Sequence, residues 1–138
     1  MRPFIVHYNI KCKVLKKDWY TQLVELTEDI TVYKQLNNMH TLEAAIATLF
    51  IPAGTVIHIP VGYDCYHNFA RKCRAEFAIV TNISNKYNDF LNDSGTGSAT
   101  KLEYVKDEFV FPDKFSKNLG FCKNGIHFFF SKEDAKRY

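Results

Sequence analysis

Ala44-Ala45-Ile46-Ala47-Thr48-Leu49-Phe50-Ile51, then Pro52-Ala53-Gly54-Thr55, then Val56-Ile57-His58-Ile59, is the stretch whose reading decides the fold. The first run is apolar but stops at Pro52, far short of the roughly 20 residues that a membrane-spanning helix needs. Short apolar runs bounded by Pro and Gly read as buried strands. Pro52 presets φ at one turn position and Gly54 supplies a positive φ soon after, so a hairpin or tight corner is expected between the runs.

Working outward, the same signal recurs. Strands are expected at Phe4–Ile10, Ile30–Leu36, Phe77–Ile83, Leu102–Val105, Glu108–Phe111 and Ile126–Phe130. Three consecutive rings, Phe128, Phe129 and Phe130, call for burial on both faces and so for a central strand. Helices are few: Lys17–Leu26, a short turn within Tyr66–Arg71, and a C-terminal one capped by Ser131 with Glu133 and Asp134 in its first turn. The polar stretch 84–100 is expected to be a mobile surface loop. The class expected is α+β: a compact single domain over 1–138, mainly antiparallel or mixed sheet with few short helices.

With 138 residues, 46% hydrophobic and 24% charged, the chain has enough apolar material for a core of its own. That balance excludes a disordered tail, a collagen-like chain and a disulfide miniprotein. The net charge of +3 comes from scattered cations, the densest being Lys11–Lys17 and Arg71–Arg74, each near aromatics. This reads as solvated surface and does not point to nucleic acid. The start, Met1-Arg2-Pro3 followed by a run broken by His7 and Asn9, lacks a secretory pattern. An intracellular protein with reduced Cys12, Cys65, Cys73 and Cys122 is expected, with no membrane partner.

Candidate chemistry is sparse. Cys65, His67 and Cys73, or Cys122 with His127, lack the paired spacing of zinc sites, and no metal or other cofactor is expected. Cys73 stands between Lys72 and Arg74, but alternation on a strand turns it inward, away from their charges. No complete catalytic set emerges. The exposed-looking tyrosines Tyr63, Tyr66, Tyr87 and Tyr138 are candidate contacts for a protein partner.

The segment Cys122-Lys123-Asn124-Gly125-Ile126-His127-Phe128-Phe129-Phe130-Ser131-Lys132-Glu133-Asp134-Ala135 carries a resemblance, together with Val32-Tyr33-Lys34, Ile51–Thr55, Lys72–Ala78 and Tyr104–Phe115. It resembles an uncharacterised domain family of giant DNA viruses and bacteriophages, often found ahead of pentapeptide-type repeats. Cys73, Arg74, Cys122, Gly125 and His127 are the motif positions. The resemblance implies a viral accessory or virion-associated protein in the host cytoplasm or the particle, not secreted. Its expected role is non-enzymatic binding of a host or virion protein. A weaker similarity is to ADP-ribosyltransferases, although Lys34 stands where they carry Arg, and Phe115-Ser116 lacks their paired hydroxyls. It implies the alternative of a degenerate nucleotide-binding domain or enzyme using Lys34, Arg74 and His127 around a cleft.

Overall fold

The computed structural model describes residues 10–37, 43–60, 73–88, 90–97, 102–120 and 123–137. Two antiparallel sheets face each other across one core. The first runs in the order β1 (Cys12–Lys17), β2 (Thr21–Leu26), β5 (Val56–Pro60), β6 (Cys73–Ala75), β11 (Ile126–Phe128). The second runs β10 (Phe109–Val110), β7 (Ala78–Asn85), β4 (Ala44–Ile51), β3 (Ile30–Asn37), β8 (Ser94–Thr96), β9 (Glu103–Val105). One helix, α1 (Lys132–Arg137), is present among the described residues. The α+β expectation therefore holds only in part: the domain is mostly antiparallel β-sheet.

The core follows from period-two alternation on both sheets. Val24, Ile57, Ala75 and Ile126 are cross-strand partners and fully buried on the inner face of the first sheet. Val32, Leu36, Ala47, Leu49, Ile51, Val80 and Ile83 meet them from the second. Each large aliphatic side chain taken fully out of water contributes about 1.5–3 kcal/mol, so this shared layer dominates the stability. Cys73 is buried in it, turned inward as alternation requires.

The Pro52–Thr55 turn is a corner, not a hairpin, because β4 and β5 belong to different sheets. Thr55 N–H donates to Pro52 O (3.2 Å), and Gly54 takes φ +91°. The corner is tied down from outside: Gly54 N–H donates to Leu26 O (2.7 Å) and Ala53 N–H to Asp29 Oδ1 (2.8 Å). A second crossing follows β11. Tyr33 and Phe129 exchange two backbone hydrogen bonds of 2.8 Å, which stitches the end of the first sheet to β3 of the second. The Phe128–Phe130 run is thus a seam between sheets where a central strand was expected. Phe128 and Phe130 fill the core, while Phe129 packs with Ile46, Tyr33 and Ala135 of α1 on the other side. The predicted cap is present, with Asp134 N–H donating to Ser131 Oγ (3.0 Å).

Residues 17–26 correct the sequence reading most. In place of a helix they form the end of β1, a turn and β2. Asp18 Oδ1 accepts from the N–H groups of Tyr20 and Thr21 (both 2.8 Å), which closes the turn and starts a strand. Adjacent Leu23 and Val24 are then buried on opposite faces, an arrangement that mimics helical spacing in the sequence. The described part of 84–100 holds the end of β7, a Ser84–Leu91 bridge and β8. Of the expected strand Phe4–Ile10, residues 4–9 lie outside the described residues, and Ile10 precedes β1 without being part of a strand. The turn within 66–71 also lies outside them.

At the far side of the second sheet, β9 and β10 end opposite edges of the strand order yet touch. The turn Lys106–Glu108 joins them and curls the sheet round. Asp107 bridges it at φ 69°, a conformation that Asp tolerates better than most side chains.

Candidate functional site

The outer face of the first sheet carries three polar side chains in a row, His58 and Arg74 buried and His127 half-buried. Register pairs Leu23 with His58, His58 with Arg74, and Arg74 with His127, so all four stand on one face. Irregular chain, residues 111–120 and 123–125 among those described, crosses this face as a strap.

Arg74 holds the strap. It is fully buried, and its guanidinium donates to four strap carbonyls: Gly120 (from Nε, 3.2 Å), Asn124 (from Nη1, 3.1 Å), Ser116 and Asn118. The Phe115 ring lies 5.3 Å from its Cζ. Burial lowers the Arg74 pKa to about 10, which leaves it protonated at neutral pH. Next to it His58 is also buried, and its Nε2 accepts from Gly120 N–H (3.0 Å). Desolvation first, and then the Arg74 charge, push His58 down to about 4. A neutral imidazole is what that accepting role requires.

Gly125 lets the strap return to the sheet. Its φ is +154°, and a Cβ there would stand 3.1 Å from Arg74 Cβ and from Phe115 Cδ1. A Gly125→Ala variant should lose about 1–3 kcal/mol by strain and overpacking, read as a lower urea midpoint at unchanged slope. An unaltered midpoint would show that the strap shifts freely.

Beside the strap's root is a cleft of about 300 Å³ lined by Leu102, Pro112, Asp113, Lys114, Asn124, Gly125 and His127. The sequence trio Lys34, Arg74 and His127 does come together here, but from different sides. Lys34 occupies the inward-facing register of β3, and its Nζ donates to the His127 carbonyl (2.9 Å) while lying 5.7 Å from the Tyr104 ring centroid. Of the three, His127 alone lines the cleft. Arg74 directs its donors at the chain itself, so its visible work is to organise the strap.

Tyr87 is 87% exposed at the turn after β7, with Lys86 Nζ 5.4 Å from its ring centroid. Tyr63, Tyr66, Tyr138, Cys65, His67 and Cys122 lie outside the described residues. Among the described residues no three His, Cys, Asp or Glu side chains gather as a metal site would need, and no helix is long and apolar enough to cross a membrane.

Sequence reasoning missed an aromatic ridge. Phe109 and Phe111 are 67% and 61% exposed on either side of buried Val110. Their rings flank Phe77 at 5.6 and 4.9 Å. Phe109 continues laterally into Ile79 and Phe50, both half-buried, and Phe111 leads through Pro112 into the cleft. The Phe-Val-Phe alternation at 109–111 was the available signal. Only the burial of Val110 in the core, paired with Ala78, shows that the aromatic side of β10 faces outward.

A family described as of unknown function (DUF5758) matches over residues 20–135, a span that includes the strap, the cleft and the ridge. No curated protein and no solved structure matches the chain.

Proposed function

The chain belongs to DUF5758, a family of unknown function, and on that premise we propose that it is a non-enzymatic interaction domain whose aromatic ridge takes a protein partner. The observation that carries this reading is the exposure of Phe109 and Phe111 against Phe77 on an edge strand. Aromatic side chains are enriched at protein interfaces, and a contiguous aromatic patch rimmed by polar residues marks a contact site. The neighbouring cleft offers a socket for a partner side chain. Tyr87, at the opposite end of the eight-residue β7, belongs to a second contact. The resemblance to a domain of giant viruses and phages supports an accessory or virion-associated role, with the partner in the host cytoplasm or the particle.

A photo-crosslinking side chain at position 109 or 111, compared with one at exposed Lys132, tests the reading in infected cells. The expected result is one discrete crosslinked protein from the ridge positions, absent from position 132 and lost with Phe77→Ser. Equal crosslinking from both surfaces would overturn it.

A further inference from the structure

The first sheet's outer face holds a feature distinct from the ridge. In the sequence the cations are dispersed; in the fold two basic segments about a hundred residues apart lie side by side. Lys16 Nζ donates to Lys117 O (3.2 Å), fixing β1 against the strap. Register puts Lys13 and Lys16 on the outer face, opposite Glu25 and Leu23. The strap adds exposed Lys114, Lys117 and Lys123. The acids at this face are Glu25, beside Lys13; Glu76, two residues past Arg74 and accepting from Val56 N–H; Asp18, in the turn and within electrostatic reach of His58; and Asp113, in the cleft. Five exposed or outer-face lysines, Lys13, Lys16, Lys114, Lys117 and Lys123, outnumber them. At the turn between β1 and β2, Trp19 is 90% exposed and Tyr20 70%, and Asp18 holds that turn with two backbone bonds of 2.8 Å. Both rings precede or open the family match at residue 20.

We infer that this face binds single-stranded nucleic acid, with Trp19 and Tyr20 stacking bases and Lys13, Lys16, Lys117 and Lys123 contacting phosphates. A solvated lysine face needs no exposed tryptophan. Exposed cations beside exposed aromatic rings are the pairing that holds unpaired bases by stacking and their backbone by charge. An acidic protein would use the lysines but leave the stacking rings without a role.

Trp19 is the single tryptophan of the chain, so its fluorescence reports directly on the β1–β2 turn, where the stacking is proposed. The full chain is titrated at low salt with oligo-dT and oligo-U of about 15 nucleotides, a duplex of equal length, and polyglutamate. Expected are quenching by the single strands and, for four phosphate contacts, a roughly 50-fold loss of affinity from 50 to 200 mM salt. Tyr20→Ala should weaken binding about 5- to 100-fold. Lys16→Glu with Lys117→Glu should weaken it at least about tenfold and flatten the salt dependence. These side chains are exposed, and a matched circular-dichroism melt verifies folding. Absence of quenching, equal binding of the duplex, tighter binding of polyglutamate, or unchanged affinity in the variants would each overturn the inference. Preference for dT or for U decides only which nucleic acid is bound, and either supports it.

Discussion

Replacing Arg74 by methionine should cost about 3–5 kcal/mol, the range seen when one partner of a buried charged arrangement is removed. Exchanging a buried ionic group for an apolar one of similar volume is often harmless where both partners change. That escape is closed here, because the partners are main-chain carbonyls of Ser116, Asn118, Gly120 and Asn124, which no substitution can remove. Those that stay buried without Arg74 would cost about 1–3 kcal/mol apiece, while the carbonyls of exposed Asn118 and Asn124 can turn to water. Lysine at the same position keeps the charge but lacks the planar fork, so Arg74→Lys should recover less than half of the loss. Urea unfolding measures the effect. Trypsin should also cut the Arg74→Met variant faster at Lys114, Lys117 and Lys123 under native conditions. A variant as stable and as protease-resistant as the parent would show that the strap holds without Arg74.

Acid should destabilise the fold in a window set by His58. In the unfolded chain this imidazole takes its proton near 6.5; in the fold it does so at about 4, because it is buried and faces Arg74. As pH falls through 6.5 the unfolded state binds the proton first. The stabilisation is therefore complete above pH 6.5 and is lost progressively towards pH 4, about 3 kcal/mol in all. Asp18 acts in a lower window. Backbone N–H groups of Tyr20 and Thr21 hold its carboxyl below the usual range, so its contribution fades only under pH 4. His58→Gln offers an acceptor for Gly120 N–H without a titrating group, and its stability should be nearly flat from pH 7 to pH 4.5. Urea midpoints at four or five pH values decide the matter. Parallel pH profiles for parent and variant would assign the acid sensitivity elsewhere.

Where local chemistry governs, the sequence was legible. Ile30–Leu36, Ala44–Ile51, Val56–Ile59 and Phe77–Ile83 alternate or run apolar between turn residues, and each is a strand within two residues of its expected bounds. Ser131 caps α1 because a hydroxyl three residues from a free N–H needs no tertiary help. Residues 17–26 misled for an equally local reason: a strand buried on both faces loses its period-two signature, and the Asp18 turn resembles a helix cap. The ridge could be half seen. Phe109-Val110-Phe111 announced a two-faced strand, but which face met water depended on the other sheet covering the Val110 side.

The sequence by itself determined the strand-rich class, the sharp turn at Pro52–Thr55, the inward Cys73 and the capped C-terminal turn, because each depends on φ/ψ preferences and alternation over a few residues. The tertiary structure alone decided that the turn is a corner between sheets, that Phe129 sews the sheets together, and that Arg74 reads four carbonyls over forty residues away. It also decided that Lys16 and Lys117 share one face. Those outcomes rest on which strands pair and in what register. Pairing is settled by the burial of a whole apolar face at once, so no short window of residues contains it.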